Sequence, residues 1–200
     1  MVKKVSIAFM AVAAGVVLAA GTVPQNTATG ATVEPVAAKT AFWEMYKPAR
    51  GWAADLMVLS LGSNEVPGVN SDAGKFGMWT AVFVSPGRQE ARTFTYSVVA
   101  NGNTPKGVSA GAAQRWTGST PQSQAFRVSD FAIDSDAAYR AALTKAGAWV
   151  KQHPDKKAAL TLGSASRFSV PVWYVMWGSK TAGYSMFVNA MSGAPVIKTK

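Results

Sequence analysis

From Ser135 onward the apolar residues Tyr139, Ala142, Leu143, Ala146, Trp149 and Val150 recur at three- and four-residue spacing, which predicts an amphipathic helix. Asp134 or Ser135 can cap its start, Asp136 lies in its first turn, and Lys145 and Lys151 lie toward the end that favours cations. Pro154 stops it. The period then changes to two. LTLG (Leu160 to Gly163), VPVWYVMWGS from Val170 and YSMFVNAMSG from Tyr184 predict an antiparallel hairpin, turning through Lys180 to Gly183.

The same order occurs earlier in the chain. A helical segment ends in LSLG (Leu59 to Gly62), followed by a loop, GMWTAVFVS from Gly77, a turn at Pro86-Gly87 and FTYSVVANG from Phe94. Setting Trp79 on Trp173 and Phe94 on Tyr184 makes the hairpins match, with a longer turn in the first; such insertions cost little. The expected fold class is therefore α+β, with helices packed on an antiparallel sheet in two related helix-plus-hairpin units, 40–125 and 126–200. Pro48 predicts a break in the first helical segment, Thr40 to Leu61, with a second helix starting near it and carrying Trp52, Ala53 and Leu56 inward. FRVSDFAID, Phe126 to Asp134, predicts an extra strand before the second helix.

Alternation along VWYVMW separates Trp173, Val175 and Trp177 from Val172, Tyr174 and Met176. Both sets are apolar, so one covers the helix and the other is buried elsewhere or open. In the first unit the Trp79, Phe83 and Phe94 set opposes a Thr/Ser set, which assigns the first to the core. By correspondence Trp173 and Trp177 are core, while Tyr174, Met176 and Met186 form an outward apolar group. Those three are the candidate binding residues, because contiguous exposed apolar surface marks contact sites.

Before the first unit, Lys3 and Lys4, an apolar run from Val5 to Ala20 and the small residues Ala19, Ala20 and Gly21 form a secretory signal pattern, predicting export to periplasm or exterior with cleavage near Gly21. At about 16 residues the run is short for a membrane span, so no integral anchor is expected after cleavage. LAAGT approaches a lipoprotein signal, but Thr22 stands where the lipid-bearing cysteine would be. Residues 22–39, with Pro24 and Pro35, read as a flexible lead. The absence of cysteine excludes disulfides and thiolate chemistry, leaving stability to the core.

The chain carries +10, and removing Lys3 and Lys4 leaves +8. That suits an anionic envelope component or an acidic protein partner, although the scattered basic residues also fit an ordinary solvated surface. No nucleic-acid partner is expected, since cations and aromatics are not grouped. GVSAG, Gly107 to Gly111, fits G-x-S-x-G, and Asp130, Asp134, Asp136 and His153 follow in hydrolase order, making a small secreted hydrolase using Ser109 the alternative. The context opposes it: Asn101-Gly102-Asn103 and Pro105 precede the serine where a buried strand is needed. His153 at a helix end suits capping, and one histidine with three scattered aspartates defines no metal site; no cofactor is expected.

The closing stretch FVNAMSGAPVIK, Phe187 to Lys198, resembles the end of a PepSY-type domain, V-D-A-x-T-G-x-V. Val188, Ala190, Gly193 and Val196 match; Asn189 replaces the aspartate, Ser192 the threonine, and Ala194-Pro195 lengthens the spacing by a residue. The resemblance spans Ser135 to Lys200 and implies an extracytoplasmic α+β unit that binds or restrains a partner rather than catalysing. In architecture alone the tandem arrangement is also similar to secreted β-lactamase inhibitory proteins, whose sheet grips a protein, though those carry disulfides. A non-enzymatic binding or inhibitory module is the expectation, with a structural envelope protein lacking a discrete ligand as a further alternative.

Overall fold

The computed structural model describes residues 33–196. The expected leader at 1–21, its expected cleavage near Gly21 and most of the expected lead lie outside the described residues. Among these residues the chain forms two helices, α1 (Ala38–Trp52) and α2 (Ser135–Gln152). It also forms nine strands: β1 (Met57–Asn64), β2 (Met78–Ser85), β3 (Glu90–Ser97), β4 (Gly107–Ala110), β5 (Gln114–Arg115), β6 (Ala158–Gly163), β7 (Val172–Gly178), β8 (Gly183–Asn189) and β9 (Pro195–Val196). All belong to one antiparallel sheet, ordered β4-β3-β2-β1-β6-β7-β8-β9, with β5 beside β3. The fold is α+β.

The sheet contains two runs in chain order, β1 to β4 and β6 to β9. Each follows a helix, and the two meanders join where β1 pairs with β6, with Leu61 opposite Leu162. Helix α1 packs on β2 and β3, and α2 on β7 and β8. Helix α2 approaches the strands through Ala138, Ala142 and Ala146, all fully buried at a spacing of four. Larger residues flank that stripe: Tyr139, Leu143, Trp149 and Val150 are partly buried against the same core.

A matched pair of tryptophans ties each hairpin to its helix. Trp79 Nε1 donates to Val36 O at 2.9 Å and Trp173 Nε1 to Ile133 O at 2.8 Å. Each carbonyl lies two residues before the start of its half's helix. Both rings are fully buried and meet edge to face, 6.2 Å between centroids. A buried indole needs such an acceptor, so the bond fixes where each helix begins over its sheet.

The helix starts are also joined directly. Asp134 caps α2 by accepting from Ser135 N at 2.7 Å, and the same oxygen accepts from Lys39 N of α1 at 2.9 Å. Buried Ser135 Oγ takes the Ala38 N–H at 2.9 Å. Ala37, at the α1 cap, has no side-chain acceptor, so α1 receives its cap from the other half of the chain.

Several expectations are corrected. Helix α1 is continuous through Pro48, because proline removes one backbone hydrogen bond while buried Met45 and Ala49 keep the turns packed. LSLG lies inside β1, not at a helix end. The lead ends before Val36, which exchanges backbone hydrogen bonds with Phe76, and α1 starts at Ala38. FRVSDFAID is not a strand: Phe126 makes a single bridge to Val58, and Val128–Asp130 forms a 3-10 turn. The hairpins also match differently, since Trp79 faces Tyr96 and Trp173 faces Val188, so Phe94 corresponds to Met186.

Asp55 holds the β2–β3 turn. Its carboxylate accepts from Ser85 Oγ at 2.5 Å and Gly87 N at 2.6 Å, and these bonds hold it below its ordinary 3.8. The folded group binds its proton more weakly than the unfolded one, so its stabilisation is complete above 3.8 and is lost as pH falls through the lowered folded value. Asp55→Asn is expected to remove that part of the acid dependence, read from urea midpoints between neutral and acidic pH.

Urea unfolding tests the helix clasp as well. Asp134→Ala should cost more than the ~1 kcal/mol of an ordinary N-cap, because two helices lose an acceptor. Trp173→Ala is expected to cost about 3 to 5 kcal/mol as a core truncation.

Candidate binding face

Direct cross-strand partners in an antiparallel pair share a face, so the registers determine which side chains point away from the helices. One row runs Ser109, Thr95, Thr80, Gly62, Thr161, Tyr174, Phe187 and Val196, in the order β4, β3, β2, β1, β6, β7, β8 and β9. The row changes character along its length. On the first half it is hydroxyl-bearing, with Asn64 Nδ2 donating to Thr80 Oγ1 at 3.1 Å and Thr80 3.4 Å from Thr95. On the second half it is aromatic.

Tyr174 and Met176 lie on this outer face, as expected, and both are half-buried. Met186 does not. It pairs with Val175, on the side of Trp173 and Trp177, and packs against the core under α2. The residue that belongs with Tyr174 is Phe187, its direct partner, with ring centroids 5.0 Å apart. Alternation from Tyr184 carried the signal: Tyr184 is inward, its ring 6.2 Å from Trp149, so Met186 is inward and Phe187 outward.

The outer residues floor a groove of about 410 Å³. Thr161, Tyr174, Met176 and Phe187 form its base; Arg167 and Phe168, on the connection from β6 to β7, form one wall, and Lys180 at the hairpin tip lies at its rim. Phe168 packs on Phe187 at 5.0 Å. Above them the Arg167 guanidinium lies 4.7 Å from the Phe168 centroid and 5.0 Å from that of Phe187. A cation–π contact of this kind holds the guanidinium beside the rings. A groove of this size, with an apolar floor and a few oriented polar groups, suits a ligand or a partner's side chains.

A second cavity, about 190 Å³, has a more polar setting, lined by Ser71, Asp72, Tyr139, Lys156 and Trp177 among others. Trp177 Nε1 and Ser71 Oγ are buried there without a protein partner. Lys157 and Glu65, also on its wall, approach to 3.6 Å.

The hydrolase residues are not brought together. Ser109 sits within β4 at one edge of the sheet, opposite Thr95, and not on a strand-to-helix turn. His153 ends α2 on the other half, its Nδ1 2.9 Å from Trp149 O and its ring stacked on Trp149 at 4.1 Å. Asp134 is the shared helix cap, and Asp130 holds the 3-10 turn by accepting from Arg127 N. Asp136 is ion-paired with Arg140 at 2.9 Å; burial opposes its charge, but that partner and the Ala137 N–H outweigh it and lower its pKa.

The residues of the closing motif build the β8–β9 turn. Asn189 Oδ1 accepts from Met191 N at 2.8 Å and Ser192 N at 3.0 Å, the role an aspartate would fill equally. Gly193 adopts φ +77°, which a side chain would oppose.

Neither a protein-family model nor a curated protein matches the chain. Among solved structures, a candidate lipoprotein from Clostridium difficile 630 is similar at 9% identity with a TM-score of 0.44, covering 78% of this chain and 90% of that one. Fluorophosphonate labelling of the purified protein, read by peptide mass spectrometry, is expected to leave Ser109 unmodified.

Proposed function

We propose that this chain is an exported, non-enzymatic binding or inhibitory module of PepSY-like type, which engages a protein partner through the outer face of the second half of its sheet. The observation that carries this reading is the contrast along the outer row: hydroxyl residues Thr80 and Thr95 give way to Tyr174 and Phe187 where nothing in the fold requires aromatics. The helix-side face already supplies the core, including Trp79, Trp173 and Trp177. Large apolar side chains on the opposite face add little to that core and leave an apolar surface that gains from being covered.

The signal pattern of Lys3, Lys4 and the apolar run to Ala20 supports export, and the +8 left of the full chain's +10 when Lys3 and Lys4 are removed favours an acidic partner. Two further points support a PepSY-like assignment: the helix precedes the hairpin in the matched region, and Asn189 does the turn-forming work of the motif's aspartate. The likeness to the β-lactamase inhibitory proteins agrees in direction, since two helix-plus-meander halves here build one sheet.

Site-specific photo-crosslinking tests the reading. A benzophenone side chain at Met176 is expected to capture a discrete partner from native envelope or culture fluid, and one at Thr95 on the first half is not. Equal capture from both positions, or capture from Thr95 alone, refutes assignment to the groove. Phe187→Ala is expected to weaken capture at Met176 while far-UV circular dichroism stays unchanged.

A further inference from the structure

The groove has a sign as well as a shape. Its lining includes Arg167 and Lys180 and no aspartate or glutamate among the described residues. None of the described ion pairs involves either cation. The Arg167 guanidinium lies over Phe168 and Phe187, and no hydrogen bond or ion pair among the described residues engages it, so its N–H groups can serve a planar oxyanion.

The space is also elongated. The floor follows β7 from Val172 to Met176, about 13 Å at about 3.3 Å per residue, and Lys180 lies beyond the end of the strand. Gln122, Ala165 and Arg167 are shared with an adjoining cleft of about 340 Å³ that continues past Ser166 and Pro121. An extended chain fits this path better than a compact molecule. The floor of Val172, Tyr174, Met176 and Phe187 suits apolar side chains; Met176 is a flexible thioether that adapts to varied shapes. The groove is open rather than enclosed, which suits a peptide more than an acyl chain that needs enclosure.

The geometry points to an acidic, extended peptide segment as the occupant: one aromatic or aliphatic side chain on the Tyr174–Phe187 floor, with carboxylates on either side meeting Arg167 and Lys180. This rests on the reading of the outer face as a binding surface and adds the chemistry of what it binds.

Fluorescence anisotropy with the purified chain tests it, using a labelled Asp-Phe-Glu-Leu-Asp peptide and its neutral counterpart Asn-Phe-Gln-Leu-Asn. The acidic peptide is expected to bind about tenfold or more tightly than the neutral one, and to weaken as salt rises. Arg167→Gln should remove most of the preference, Arg167→Lys should retain more of it, and Arg167→Gln combined with Lys180→Gln should abolish it; Tyr174→Ala should weaken both peptides equally. Circular dichroism confirms that each variant is folded. Equal binding of the two peptides, an Arg167→Gln variant whose preference is undiminished, or no peptide binding at all overturns the inference. So does binding only to anionic phosphatidylglycerol vesicles. If Met176 crosslinking still captures a partner when these peptides fail, the binding face stands and its acidic-peptide chemistry falls.

Discussion

The two helices begin at the same place, and one aspartate serves both. Asp134 accepts from the first turns of α2 and α1 through a single carboxylate oxygen, and Ser135 takes the neighbouring α1 donor. Both positive dipole ends converge on that carboxylate, which neutralises them together. With α1 unable to cap itself at Ala37, its start is defined only when the second half is folded against it. The halves are thus interdependent even though each has its own helix and meander.

The sheet carries the same dependence. The β1–β6 pairing makes eight strands continuous, and the Trp79–Trp173 contact lies on the helix side of the two hairpins that flank this seam. Each indole anchors the entry to its helix through a carbonyl two residues earlier. Alanines at Ala138, Ala142 and Ala146 let α2 sit close to β7 and β8, so that the large rings of the sheet fill the layer between them. On the opposite face Tyr174 and Phe187 form a separate aromatic group with Phe168 of the β6–β7 connection.

Much of this organisation was legible in the sequence. The 3.6-residue period from Tyr139 to Val150 and the two-residue period of VWYVMW placed α2, β7 and the inward tryptophans, because burial on one side leaves a periodic trace. The exceptions are instructive. Pro48 signals a break, yet packing of Met45 and Ala49 carries α1 through it. FRVSDFAID alternates like a strand, but after the Phe126–Val58 bridge the chain turns into a 3-10 segment. Correspondence with the first unit grouped Met186 outward with Tyr174 and Met176; its parity with Tyr184 places it inward.

The sequence by itself determined the class of fold, the inward set of tryptophans and the repeated order of helix and hairpin, since these follow from local periodicity and turn chemistry. It could not decide that the halves share one sheet, that Asp134 caps two helices, or that Phe187 and Arg167 complete the groove around Tyr174. Those features depend on partners distant in the chain: Lys39 lies far from Asp134 in sequence, and Arg167 meets Phe187 only across the β7–β8 register. Periodicity says which face a residue occupies, but only pairing across strands says which residues share it.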